Sequence, residues 1–345
     1  MYKKFFGFKE RPFQLVPNPE YLFLSKSHEE ALAHLTYGEC EGDGFVEITG
    51  EVGTGKTTLC RVFLENLNSD TVAAYIFNPK LDALQMLRAI NDEFGLDAGA
   101  DNTKDLIDTL NRFLIEKKKK GQRVIVIIDE AQNLSKPVLE QLRLLSNLET
   151  TSSKLLQIFL VGQPELAEML DSAELRQLGQ RISLSAHLVP LSFRETCEYI
   201  EHRIHIASAQ KPRAKFTRTA MRRIYRFSGG IPRLINIACN RALLTAFGLG
   251  QHTITGRIAD ISIRELTARA GFGKGAPSAS PLMVLALVVV CLALAAVVLL
   301  RFDVIRLPQL ANQPAVTRQV PADAPVHEAP ETETDSAPAG PSATP

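Results

Sequence analysis

Cysteine is scarce in this 345-residue chain, and its five positions, Cys40, Cys60, Cys197, Cys239 and Cys291, include no C-x-x-C pair. Neither a zinc site nor a disulfide framework is expected. An excess of one charge is also lacking. With 39 Lys and Arg against 38 Asp and Glu the formal net charge is +1, so any electrostatic preference must be read from local distribution. Charge of either sign is missing from residues 281–300, which are apolar on all sides and long enough to cross a bilayer as one helix. This run lies too far from the N-terminus to be a cleaved signal. Residues 301–345 lack the apolar content for a core; rich in Pro and Ala with scattered acids, they are expected to be disordered. The remainder is long enough for a sizeable core and more than one domain.

The most informative stretch present is Gly50-Glu51-Val52-Gly53-Thr54-Gly55-Lys56-Thr57, which fits the phosphate-cradling pattern G-x-x-x-x-G-K-[ST]. Residues 45–49 before it read as a strand, and residues 58–64 after it have amphipathic helical spacing. The glycines let the loop turn tightly with its N–H groups inward, at the positive end of the following helix. ATP with Mg²⁺ is the expected ligand. Lys56 is expected to reach the β- and γ-phosphates, Thr57 to place its hydroxyl on Mg²⁺, and Thr58 to support the loop.

A second chemical feature lies 73 residues after Lys56, where the β-branched run 123–128 ends in Asp129-Glu130. Such a run suits a strand buried on both faces, with its carboxyl end at the ligand edge. This is the pattern of a Walker B strand. Asp129 is expected to hold the Mg²⁺ shell and Glu130 to polarise the water that attacks the γ-phosphate. Further strands are predicted over 72–77 and 155–161, with helices over 81–94, 103–117 and 137–148. The alternation implies an α/β fold, a mostly parallel sheet with helices on both faces. From Ser192 to about Ala270 the periodicity is purely helical. The run Lys117-Lys118-Lys119-Lys120 reads as a helix end, where cations suit the dipole.

Four passages together resemble the AAA+ ATPases of the general secretion pathway protein A family, and are similar also to ATPases of mannose-sensitive haemagglutinin (type IV) pilus biogenesis. They are residues 1–28, with the opening Met1-Tyr2-Lys3-Lys4-Phe5-Phe6-Gly7-Phe8 and the stretch Phe23-Leu24-Ser25-Lys26-Ser27-His28; the loop 50–57; Ile128-Asp129-Glu130-Ala131-Gln132-Asn133-Leu134; and residues 160–166 followed by 175–182. The resemblance implies a P-loop AAA+ fold with an N-terminal signature and nucleotide-pocket segment (1–40), a nucleotide-binding core (41–190) and a helical lid (191–270). A linker (271–280), a transmembrane helix (281–300) and a disordered tail (301–345) would follow. It further implies that Gln163 is sensor 1, that Arg233 within 229–236 approaches the γ-phosphate as sensor 2, and that an arginine finger serves a neighbouring subunit. Arg181 is favoured as the finger, with Arg176 the alternative.

The same resemblance implies a homo-oligomeric ring coupling ATP binding and hydrolysis to assembly of a bacterial envelope machine: a type II secretion secretin, a pilus or a polysaccharide exporter. Hydrolysis of ATP requires the cytoplasm, so residues 1–275 should lie inside, the span in the inner membrane and the tail in the periplasm. The flanking charges, Arg269 and Lys274 before the span and Arg301 and Arg306 after it, do not decide orientation. Longer members of the family are similar to one another in carrying a peptidoglycan-binding domain after the membrane helix. Here only a short flexible tail is read, and direct wall binding is not expected.

A second function is open. Residues 203–241 contain ten Lys and Arg and no Asp or Glu, with Arg218, Arg222, Arg223 and Arg226 partly sharing a helical face. Such a patch suits DNA phosphates, as in a DNA-dependent AAA+ ATPase of the transposition-regulator type. It equally suits anionic lipid beneath the membrane span, or plain solvation.

Overall fold

The computed structural model describes residues 2–41, 44–77, 80–149, 154–208 and 212–270. The chain opens with α1 (Tyr2–Phe6) and, after an irregular stretch, α2 (Lys26–Glu41). Then β1 (Phe45–Gly50), α3 (Lys56–Glu65), β2 (Thr71–Ile76), α4 (Ala83–Glu93), α5 (Thr103–Lys119), β3 (Arg123–Ile128) and α6 (Lys136–Leu145) alternate. They are followed by β4 (Gln157–Gly162), α7 (Pro164–Leu170), the short α8 (Arg176–Gly179) and β5 (Ile182–Leu188). Helix α9 (Phe193–Ala207), β6 (Lys215–Phe216), α10 (Arg218–Ser228), α11 (Pro232–Gly248), β7 (Thr253–Ile254) and α12 (Gly256–Ala270) complete the described residues.

The five main strands form one parallel sheet in the order β2-β3-β4-β1-β5. Its middle strands are apolar at consecutive positions because both faces are covered. In β3, Val124, Val126 and Ile128 meet α4, α5 and α6 through Met86, Leu110 and Leu142, whereas Ile125 and Ile127 meet α2 and α3 through Leu35 and Leu59. The result is a three-layer α/β/α sandwich. Local signals fix its helix ends. Asp82 and Gln85 form a reciprocal capping box at α4, Asn102 accepts the Asp105 N–H at α5, and α5 runs out within the lysine cluster at Lys119.

A separate apolar cluster forms among α9, α10, α11 and α12, built on Ile200, Ile224, Cys239, Leu243 and Ile258. It also contains Tyr2, Phe6, Phe8, Phe13 and Tyr21. The first 21 residues therefore pack with the C-terminal helices, whereas α2 packs on the sheet. Three strands extend the sequence reading. Edge strand β5 has only alternate burial along its length, so its signal is weaker than that of the double-buried strands. The two-residue strands β6 and β7 pair in parallel inside the region whose periodicity reads as purely helical; two residues are too few for any periodicity. No helix among the described residues is long and apolar enough to cross a membrane. The predicted linker 271–280, span 281–300 and tail 301–345 lie outside the described residues.

Candidate active site

Parallel strands all end on the same side of a sheet, and loops leaving those ends converge there. Gly50 ends β1, Asp129 follows β3 and Gln163 follows β4. The turn after β1 leads straight into α3, whose free backbone donors face the loop. Lys56 is almost wholly buried, and its Nζ donates to the carbonyls of Gly50 at 2.6 Å and Glu51 at 3.1 Å. Burial lowers its pKa, opposed by the carboxylates of Glu130, Asp129 and Glu51. Thr54 closes the loop by donating to the Glu51 carbonyl at 2.9 Å. Gly53 has φ +87°, and a Cβ there would lie 2.6 Å from the Cβ of Arg233. Only glycine permits that approach.

The acid pair sits across from this loop. Asp129 is fully buried; its Oδ2 accepts from Thr57 Oγ1 at 2.7 Å and from the Tyr75 hydroxyl at 2.8 Å, and its Oδ1 accepts from the Glu130 N–H at 2.9 Å. Burial raises the Tyr75 pKa and Asp129 adds to the effect, so the phenol is a proton donor at neutral pH. Glu130 adopts φ 56°, ψ 36°, the only positive φ at a non-glycine among the described residues. That left-handed turn is a sparsely populated backbone state held by its surroundings. Its Oε2 accepts from Gln132 Nε2 at 2.7 Å and Gln163 Nε2 at 3.4 Å, while Gln132 Oε1 accepts from the Gln163 N–H at 3.1 Å.

A cleft of about 200 Å³ runs from this loop to a second wall built by the N-terminal stretch and the C-terminal helices. Arg233 enters it from the first turn of α11 and donates its backbone N–H to the Gly53 carbonyl at 3.2 Å. The preceding turn depends on Gly230, φ +85°, where a Cβ would lie 2.0 Å from the Leu191 carbonyl oxygen. Deeper in, Arg203 of α9 is buried between the rings of Tyr21 and Tyr199. It donates to the carbonyls of Pro12 at 2.7 Å and Gln14 at 3.3 Å and to the Tyr199 hydroxyl at 3.0 Å. Tyr199 in turn donates to Asn236 of α11 at 2.9 Å. His28, buried beneath the loop, holds Ser25 Oγ through Nδ1 at 2.6 Å and the Thr54 carbonyl through Nε2 at 3.1 Å. Burial lowers its pKa, opposed by the hydrogen bond to Thr54 and by Glu195, so the ring is neutral at pH 7.

The structure thus brings Gly50, Glu51, Val52, Gly53, Thr54, Gly55, Lys56, Thr57, Thr58, Asp129, Glu130, Gln163 and Arg233 to one side of the sheet. The two finger candidates lie elsewhere. Arg181 precedes β5 and bonds within its own chain, to Ser146 Oγ at 2.9 Å and Asn147 Oδ1 at 2.5 Å. Arg176 is exposed at the start of α8. The site also holds residues to which the sequence assigns no role: His28, Gln132 and Asn236 lie inside singled-out stretches, Arg203 inside the basic run, and Tyr75 and Tyr199 carry no signal beyond their own elements.

The donor set fits a magnesium nucleotide: hard oxygens from Thr57 and Asp129, a buried cation at Lys56, and a helix N-terminus behind a loop whose close approaches exclude side chains. Residues 39–170 match the family described as AAA domain. Over 255 residues, 74% of this chain and 46% of the relative, the sequence is 51% identical to general secretion pathway protein A of Aeromonas hydrophila. The chain therefore spans about half the length of that curated relative. Among solved structures, the ADP form of the Aeropyrum pernix ORC2 protein superposes with a TM-score of 0.57 at 19% identity, covering 75% of this chain and 73% of that one. The Thermotoga maritima RuvB Holliday junction branch migration motor gives 0.51 at 18% identity, covering 74% of each. At such identities the likeness is one of fold. With its P-loop, parallel sheet and 51% identity over 255 residues, the chain belongs to the AAA ATPases of the general secretion pathway protein A type.

Proposed function

We propose that this chain binds ATP with Mg²⁺ in the cleft and hydrolyses it, using the cycle to assemble or remodel a cell-envelope machine. The observation that carries the reading is the convergence of Lys56, Thr57, Asp129 and Glu130 at one end of the sheet. Lys56 exchanges the Gly50 and Glu51 carbonyls for the β- and γ-phosphates, and the amides of 53–58 bind phosphate oxygens. Thr57 and Asp129 hold Mg²⁺. When bound, the cation neutralises charge developing on the phosphate oxygens. Glu130 leaves Gln132 to accept a hydrogen from the attacking water and aim its oxygen at the γ-phosphate, with Gln163 as a second orienting group. Arg233 reaches the γ-phosphate from α11. A neighbouring subunit supplies the arginine finger in a homo-oligomeric ring. We assign it to Arg176 ahead of Arg181, because the guanidinium of Arg181 is engaged inside its own chain.

The envelope reading rests on the similarity to a protein named for the general secretion pathway and on the uncharged run 281–300. That run would anchor the chain in the inner membrane, with the ATPase module in the cytoplasm and residues 301–345 in the periplasm. Secretin, pilus or polysaccharide-export components are the partners this predicts. The DNA-dependent reading is supported by the exposed Arg213, Lys215, Arg218, Arg222 and Arg226 on and beside α10. It loses other members of the run: Arg203 and Arg233 face the cleft, Arg223 lies 3.6 Å from Asp260, and Arg241 bonds Glu265 at 2.6 Å.

The two levels are tested together with Glu130→Gln. The variant should bind ATP as wild type does and turn over about 10²- to 10⁴-fold more slowly. Equal turnover would remove the water-activating role. Purified from native membranes with ATP, it should carry secretin, pilus or polysaccharide-export proteins; recovery of DNA with recombination proteins would favour the second reading.

A further inference from the structure

Asp129 is fully buried and its carboxylate is held by three donors, of which two belong to the loop and strand that the proposed nucleotide site already uses. The third is Tyr75, from the neighbouring edge strand β2. Its ring packs against the cluster beneath α2 and α3, and β2 and β3 pair with Tyr75 opposite Ile127, two residues before Asp129. The phenol therefore reaches Asp129 from a rigid ladder, not from a loop. Resting on the Mg²⁺-ATP reading above, we propose that Tyr75 is a positioning residue that fixes the Asp129 carboxylate for Mg²⁺.

The three donors differ in what they do when the cation arrives. Thr57 Oγ1 donates to Asp129 Oδ2 in the structure, and as a ligand to Mg²⁺ it would also offer a lone pair to the metal, so it would serve cation and carboxylate together. The Glu130 N–H holds Oδ1 and constrains that oxygen only. Tyr75 serves the carboxylate alone: its hydroxyl donates to Oδ2 from β2 and would keep doing so with the cation bound. It alone connects the carboxylate to a neighbouring strand through a side chain. Partners of this kind set ligand orientation, and removing one weakens metal affinity about 10- to 100-fold. Tyr75 is neutral and distant in sequence from both motifs, which is why no motif contains it.

The test uses the full chain with Tyr75→Phe, which keeps the ring in its packing and deletes only the hydroxyl. ADP affinity is measured by calorimetry in EDTA and across a Mg²⁺ titration. ADP affinity in EDTA should stay within about twofold of wild type, while the Mg²⁺ concentration giving half the metal-dependent gain in affinity should rise about tenfold. An unchanged Mg²⁺ midpoint would overturn the proposal. So would equal losses with and without Mg²⁺, since they would mark a structural role alone. If wild type shows no Mg²⁺-dependent nucleotide binding, the underlying reading fails, and that result is separate because it appears before any variant is made.

Discussion

The two walls of the cleft are made differently. The phosphate-facing wall comes from short stretches, 50–58, 129–130 and 163, each set at a strand end by the parallel sheet. The opposite wall gathers Gln14, Tyr21, Tyr199, Arg203, Arg233 and Asn236, which come from the N-terminal stretch and from two helices more than 150 residues later. In the first wall the chemistry is local and the scaffold is rigid. In the second, the N-terminal stretch is joined to α9 by apolar packing, by the Lys9 N–H to the Ala207 carbonyl, and by one buried guanidinium, Arg203. Substitutions in the first wall should therefore cut binding and turnover with little loss of fold, and substitutions in the second should loosen the wall itself.

Glu130→Gln aside, the largest expected effect lies in neither wall. Arg176→Ala should lower turnover about 10³-fold at concentrations where the chains assemble, with nucleotide binding nearly intact. If Arg181→Ala shows that pattern and Arg176→Ala does not, the finger assignment reverses. Within the first wall, Lys56→Ala removes charge-assisted hydrogen bonds to phosphate and should weaken ATP binding about 100-fold in equilibrium titration, without lowering the unfolding midpoint. Wild-type affinity would break the contrast between the walls. In the second wall, Arg203→Met strands the Pro12 and Gln14 carbonyls, leaves the Tyr199 hydroxyl with Asn236 alone, and should cost about 2–4 kcal/mol in denaturant unfolding. A loss of nucleotide affinity with no loss of stability would mean Arg203 acts on the ligand directly.

The smallest effect concerns pH. His28 has its folded pKa lowered by burial, so the unfolded chain binds the proton more readily. Its contribution is fully present above the ordinary histidine value of about 6.5 and is lost as pH falls from there through the lowered value. His202 is shifted in the same direction by burial and adds to the loss. In melting curves between pH 8 and pH 5, His28→Gln should therefore lose less stability on acidification than wild type. Parallel curves would show that folding does not shift the His28 pKa.

The contrast between the walls also explains what could be read in advance. The run ending in Asp129-Glu130 and the glycine loop are dense local signals, and the sheet turns them into neighbours without help from distant residues. Strand β5 carried a weaker pattern, because it sits at the edge and buries alternate residues. Arg203 was legible only as one member of a basic run, since nothing local marks a cation that will be buried between two tyrosines 178 positions apart. The same holds for Tyr75, whose bond to Asp129 exists because β2 pairs with β3. The N-terminal stretch shows the limit most clearly: residues that read as one segment divide between the helical cluster and the sheet.

The decisive measurement is the structure of the Glu130→Gln chain with ATP and Mg²⁺. It should show a triphosphate along residues 50–58, with Lys56 on its β- and γ-phosphates, the metal beside Thr57 and Asp129, and the base between the N-terminal stretch and α11. A triphosphate bound elsewhere, or Lys56 still bonded to the Gly50 and Glu51 carbonyls in the loaded protein, would contradict the proposed nucleotide site.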